Sequence, residues 1–239
     1  MKSRLIRLIM VGALVCVPSY ASAQTNFYNF NNSLTDQNGL FPLLPNGGTL
    51  SASGYTFGAN QGLSLSNVFS ASSSYSIAIR SYFNNLGGYQ KMVDFKDRAS
   101  DNGAYAPNNS PNFYPAGTGA AVYANGVPAF TVYTRDASTK LFTTYVNGAQ
   151  QVSFTDTNGW GDFTATNGIA RFFEDDFPTG QREAGSGFVD YIAIYGTALT
   201  AQEVADLTIV TASPEPASIA LVATGLIGMP GVARRRTRG

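Results

Sequence analysis

Residues 141–154, LFTTYVNGAQQVSF, leave the chain little choice of local structure. Two runs rich in aromatic and β-branched residues flank Asn147-Gly148. Both central residues of a type I′ turn need positive φ, which Asn and Gly tolerate, so the stretch predicts a β-hairpin. A hairpin alone is marginal in water and needs further strands. Residues 75–83 alternate with period two and put Tyr75, Ile77, Ile79 and Phe83 on one face. Residues 188–195, FVDYIAIY, read as another strand, centrally placed. The texture between such runs is rich in Gly, Asn, Ser and Thr with many Tyr and Phe, which suits strands and turns. Roughly ten to fourteen short strands are expected, and a two-sheet antiparallel sandwich is the natural way to bury them.

One short helix is expected near the end. Thr200-Ala201-Gln202-Glu203 fits a capping box, with Leu199 and Val204 placed for the hydrophobic staple. Val204 and Leu207 face the same way, and two turns are expected.

The two ends read as signals. Lys2, Arg4 and Arg7 precede an apolar run over residues 8–17. Ala21-Ser22-Ala23 then supplies the small residues of a cut before Gln24, the layout of a secretory signal peptide over residues 1–23. At the other end, Pro214-Glu215-Pro216 leads into residues 217–233, which carry no charge. Arg234, Arg235, Arg236 and Arg238 follow. That length is the lower end of what spans a bilayer, and the arginines would hold their end in the cytoplasm. The domain between is expected over residues 24–208, with a linker at 209–213.

Composition excludes several chemistries. Cys16, inside the leader, is the only cysteine, and the chain has no histidine. An intramolecular disulfide, the usual zinc sites and imidazole-based nucleophilic catalysis are therefore excluded. With both end signals set aside, the domain holds 8 Lys and Arg against 14 Asp and Glu, a net charge of −6. An acidic domain disfavours nucleic acid as a partner.

The terminal Pro-Glu-Pro, apolar span and arginine cluster resemble the PEP-CTERM sorting signal of Gram-negative bacteria. The resemblance implies a transient hold in the inner membrane, processing by an exosortase, and a destination at the cell surface or in an exopolysaccharide-rich matrix. The domain resembles laminin G-like, concanavalin A-like modules. The resemblance lies in Phe30-Asn31-Asn32-Ser33-Leu34-Thr35-Asp36, in Tyr145-Val146-Asn147-Gly148, and above all in residues 187–204, GFVDYIAIYGTALTAQEV. It implies a jelly-roll sandwich, a fold shared by lectins, adhesive modules and some glycosidases, so it does not fix function.

Glycosidases of that fold often carry E-x-D-x-x-E on one strand. The motif is absent, and no catalytic residue is assigned. Hard cations want several oxygen ligands in loops. Glu174, Asp175 and Asp176 in one turn-rich stretch, and Asp97 and Asp101 with Asn102 in another, are the candidate calcium ligands. The alternative is that they are solvated turn carboxylates. Asp190 lies within a strand, where a partner such as Arg171 or Arg98 is expected rather than a metal. Sugar sites use aromatic faces with polar neighbours. Residues 105–123 read as a long loop carrying Tyr105, Asn112, Tyr114 and Tyr123. Trp160, between glycines, reads as an exposed loop. The alternative is that these aromatics cap the sandwich ends. The expected function is an exported, non-catalytic adhesive or carbohydrate-binding module whose partner is extracellular polysaccharide or a surface protein. A matrix protein without specific glycan binding and, more distantly, a glycoside hydrolase are the alternatives.

Overall fold

The structure is a computed structural model that describes residues 24–69, 73–164 and 168–212. The expected leader and the sorting segment, including Pro214, Glu215, Pro216, Arg234, Arg235 and Arg236, lie outside the described residues. Among the described residues no helix is long and apolar enough to cross a membrane.

Among the described residues, fifteen strands form two antiparallel sheets. The eight-stranded sheet runs in the order β13 (Ala149–Thr155), β12 (Leu141–Val146), β11 (Ala129–Arg135), β6 (Tyr75–Phe83), β15 (Gly187–Tyr195), β4 (Gly54–Phe57) and β3 (Thr49–Ser51). Strand β1 (Gln24–Tyr28) also pairs with β15. The seven-stranded sheet runs β10 (Gly117–Thr118), β9 (Asn112–Tyr114), β8 (Gly103–Tyr105), β7 (Lys91–Asp94), β14 (Ala170–Phe172), β5 (Leu63–Leu65) and β2 (Leu44–Pro45). This is the two-sheet antiparallel sandwich that the sequence pattern predicts, with one helix.

The alternating residues of β6 behave as expected. Tyr75, Ile77, Ile79 and Phe83 enter the core between the sheets, while Ala78 faces outward. Aromatic rings lock that core. Phe142 of one sheet meets Phe113 of the other at 4.5 Å between ring centroids. Strand β15 is central, between β6 and β4 with β1, but its alternation is broken. The register shifts between Val189 and Tyr191. A bulge adds one residue and flips the parity after it. Val189, Ile192 and Ile194 therefore all reach the core, and Asp190 sits at the irregularity. Its partner is Arg80, at 2.7 and 2.9 Å, and not the expected Arg171 or Arg98.

The hairpin of β12 and β13 turns at Asn147 (φ 49°) and Gly148 (φ 82°), both left-handed as the type I′ turn requires. Helix α1 (Ala201–Ala212) is capped as expected. The Glu203 amide donates to Thr200 Oγ1 at 3.3 Å, and the Thr200 amide donates to Glu203 Oε2 at 2.8 Å. It runs twelve residues rather than two turns. Val204 and Leu207 lie on the outer face of the eight-stranded sheet, against Ala78, Phe130, Val132, Tyr145, Ala193 and Tyr195. Residues 105–123 are not one long loop. They contain β9 and β10, which extend the seven-stranded sheet.

Candidate functional site

The register of the seven-stranded sheet sorts its side chains. Leu63, Phe172, Val93, Ala104 and Phe113 lie opposite one another and fill the core. The alternate positions, Ser64, Arg171 and Asp94 in one row and Lys91, Tyr105, Asn112 and Thr118 in the next, face away from it. On a bare sheet these would be solvated. Here two loops, residues 95–102 and 173–186, fold over them. The Phe177 amide donates to Arg98 O at 3.0 Å, and the Lys91 amide donates to Glu183 O at 2.8 Å. Arg98 Nε donates to Asp175 O at 2.6 Å.

The result is a charged layer buried outside the main core. Glu174, Asp175, Asp176, Asp94 and Lys91 are fully buried, and Arg98 nearly so. Glu174 Oε2 accepts from Arg171 at 3.1 Å and lies 3.5 Å from Arg98. Asp175 Oδ2 accepts from Thr179 Oγ1 and the Glu183 amide, both at 2.8 Å. Asp97 pairs with Arg171 at 2.7 Å. Burial pushes the Glu174 and Asp94 carboxyls above their usual range, further than the neighbouring cations pull them down. Glu174 Oε1 and Asp175 Oδ1 receive no hydrogen bond. Burial also raises Asp176, but the Lys91 ammonium, the Thr179 amide and the Tyr105 hydroxyl outweigh it and hold this carboxyl below its usual range.

The expectation of solvated turn carboxylates is thus corrected at Glu174, Asp175 and Asp176, because the sheet and two loops exclude water from them. As calcium ligands the five expected residues do not form one set. Glu174 and Asp97 point at Arg171, and Asp175 holds its own loop together. Asp101 and Asp176 do converge, and the third member is Glu183, which sequence reasoning missed. Their carboxylate oxygens lie within 4.8 Å of one another. Burial, then the charges of Asp175, Asp101 and Asp176, push the Glu183 carboxyl up. Lys91 Nζ lies 2.9 Å from Asp176 Oδ2 and pairs with this member of the group.

The sugar-contact expectations divide in the same way. Tyr105, Tyr123 and Asn112 are buried and offer a ligand no face. The Tyr105 hydroxyl lies 3.0 Å from both Asp101 Oδ1 and Asp176 Oδ2. The Tyr123 hydroxyl meets Thr131 Oγ1 at 3.0 Å. Asn112 Nδ2 donates to Gly117 O and Thr118 Oγ1. Trp160 is half-buried, with its ring 6.2 Å from Phe154, and is not the free loop aromatic expected. Tyr114 remains, 40% exposed on the outer side of β9 and opposite Gly103. Two exposed aromatics on the same side were missed. Tyr89 stands edge-on to Tyr105 at 5.6 Å, and the Phe177 ring lies under Arg98 at 4.4 Å. The outer side of the seven-stranded sheet therefore carries Tyr89, Tyr114 and Phe177 around the partly exposed carboxylates of Asp101 and Glu183. It offers flat apolar faces beside strong hydrogen-bond acceptors.

No family model matches the chain, and no curated protein does. Solved structures match over most of it. Domain 4 of AbnA, a GH43 extracellular arabinanase of Geobacillus stearothermophilus in complex with arabinotriose, is 20% identical with a TM-score of 0.60. That match covers 78% of this chain and 98% of that one. A Trypanosoma rangeli sialidase is 13% identical with a TM-score of 0.62, covering 84% of this chain and 36% of that one. The binding domain of botulinum neurotoxin serotype D is 10% identical with a TM-score of 0.56, covering 78% of this chain and 51% of that one. At such identities the likeness is one of fold. These structures share the sandwich fold.

Proposed function

We propose that this chain is an exported, non-catalytic carbohydrate-binding module that meets its glycan on the outer side of the seven-stranded sheet. The observation that carries the reading is the match to a whole arabinotriose-bound domain, 98% of which is covered, rather than to a fragment of a catalytic fold. Tyr89 and Tyr114 supply stacking faces there, and Asp101 and Glu183 supply acceptors for sugar hydroxyls. The laminin G-like resemblance supports the same reading, and the two end signals support export and sorting by an exosortase. The absence of an E-x-D-x-x-E strand motif supports the non-catalytic reading.

The test is a glycan array with the purified chain, including the exopolysaccharide of its own host. Saturable binding is expected, and Tyr114→Ala and Tyr89→Ala each weaken it about fivefold, as loss of a stacking ring worth roughly 1 kcal/mol requires. Binding unchanged in both variants removes the site. No binding by the parent favours a matrix protein without a specific glycan, and reducing ends released over time favour the hydrolase.

A further inference from the structure

Lys91 is an amine held against a carboxyl where water does not reach. The side chains of Lys91, Asp94 and Asp176 are all 0% exposed. Lys91 Nζ lies 2.9 Å from Asp176 Oδ2 and 3.6 Å from Asp94 Oδ2. Asp94 Oδ2 is buried and receives no hydrogen bond. Taking two charges out of water is costly, and condensation of the amine with the carboxyl cancels both charges at once.

The fold fixes both reactants. The ladder sets Lys91 opposite Tyr105, whose ring centroid lies 4.1 Å from Nζ. Gly103 leaves room for the head group, since a Cβ there would lie 3.2 Å from Nζ. On the carboxyl side, the Thr179 amide and hydroxyl donate to Asp176 Oδ1 at 3.0 and 3.1 Å, and the Tyr105 hydroxyl lies 3.0 Å from Oδ2. The Lys91 amide holds the same loop at Glu183 O. Two groups pinned in this way react as parts of one molecule, without the entropy cost of an encounter.

We propose that Lys91 Nζ and Asp176 Cγ condense to an intramolecular isopeptide bond, with Asp94 as the proton relay. The step balances without any co-reactant. The ion pair is the resting arrangement. The Lys91 ammonium first passes a proton to Asp176 Oδ2 along the 2.9 Å contact, which leaves an amine and a carboxylic acid. Nζ then attacks Cγ, and the Thr179 donors stabilise the charge that develops on Oδ1. Asp94 Oδ2 takes a second proton from Nζ and delivers it to the departing Oδ2 hydroxyl, which leaves as water. Two ammonium protons and Oδ2 depart together, the third proton stays on the amide nitrogen, and Asp94 ends as it began. The reaction needs to occur only once per molecule, and the dry layer then withholds the water that hydrolysis requires. The bond ties β7 to the loop over residues 173–186, across 85 positions of the chain. It supplies the covalent closure that secreted domains ordinarily take from a disulfide, in a chain whose only cysteine lies in the expected leader.

The inference does not depend on the glycan reading, and its readout involves no sugar. The purified chain is denatured and digested with trypsin, and the fragments are identified by tandem mass spectrometry. Residues 81–96, uncut after Lys91, are expected joined to residues 172–182, at the summed mass less one water. Lys91→Arg is expected to release 172–182 free, because a guanidinium stays protonated and does not attack. A folded Asp94→Asn protein is expected to show at least about a tenfold smaller joined fraction. Free 172–182 with no joined species from the parent overturns the proposal. A joined species that persists in Lys91→Arg also overturns it, since another group then supplies the amine, and a folded Asp94→Asn protein joined as fully as the parent overturns the relay. If neither variant folds, the parent's fragments decide alone.

Discussion

Glu183 shows how a single carboxylate can weaken this domain at neutral pH. Burial and three acidic neighbours raise its pKa in the folded state. A carboxyl raised on folding stabilises the fold below its unfolded pKa, and that stability is lost as pH climbs through the folded value. Glu183→Gln is therefore expected to raise Tm by about 1–3 °C at pH 7 and to leave it unchanged near pH 3, where both forms are neutral. Unfolding curves at the two pH values check this, and a pH-independent difference would assign the effect to packing instead. The sequence pointed at the right neighbourhood through Glu174, Asp175, Asp176 and Asp101. It could not show that these acids are dry, because the water is excluded by loops 95–102 and 173–186, which are far apart in the chain. For the same reason the sequence gives Lys91 no site role. A lysine at an outward strand position ordinarily reads as solvated.

At the scale of elements, local chemistry was legible and tertiary irregularity was not. The Asn147-Gly148 turn and the Thr200 cap depend on contacts within a few residues, and both were readable. Gly148 has φ 82°, and the nearest atom to an added Cβ is Ala205 Cα at 3.5 Å, so space is not the obstacle there. The cost of Gly148→Ala is that of the left-handed conformation, about 1 kcal/mol of unfolding free energy. Denaturant titration reads it, with an unchanged m-value expected. A loss near zero would mean that the turn relaxes to another type. The bulge in β15 was not legible, because FVDYIAIY alternates acceptably without it. The bulge became evident only from the strand's two neighbours, β6 and β4, which must both pair while Val189 and Ile192 reach one core.

For the molecule as a whole, the sandwich class followed from the number of short strands. Strand order could not follow from it, since β6 and β15 pair across more than half the domain. Among the described residues, both apolar clusters are made by residues between Phe27 and Leu207. A chain trimmed to residues 24–212 is accordingly expected to melt within about 1 °C of the full chain. Protein recovered from the host's surface is expected to lack residues 214–239 by intact mass. A surface protein that retains them would remove the sorting proposal, and a trimmed chain that melts much earlier would show that the core extends further. Helix α1 gives the molecule a back and a front. It occupies the outer face of the eight-stranded sheet, and the described chain ends there at Ala212. Tyr114, Tyr89 and Phe177 lie on the opposite side of the sandwich. Anything that grips the protein by its C-terminal end holds it from behind, and the aromatic side is left pointing away from that support. Tethering and recognition would then not obstruct each other, even when neighbouring copies are crowded on one surface.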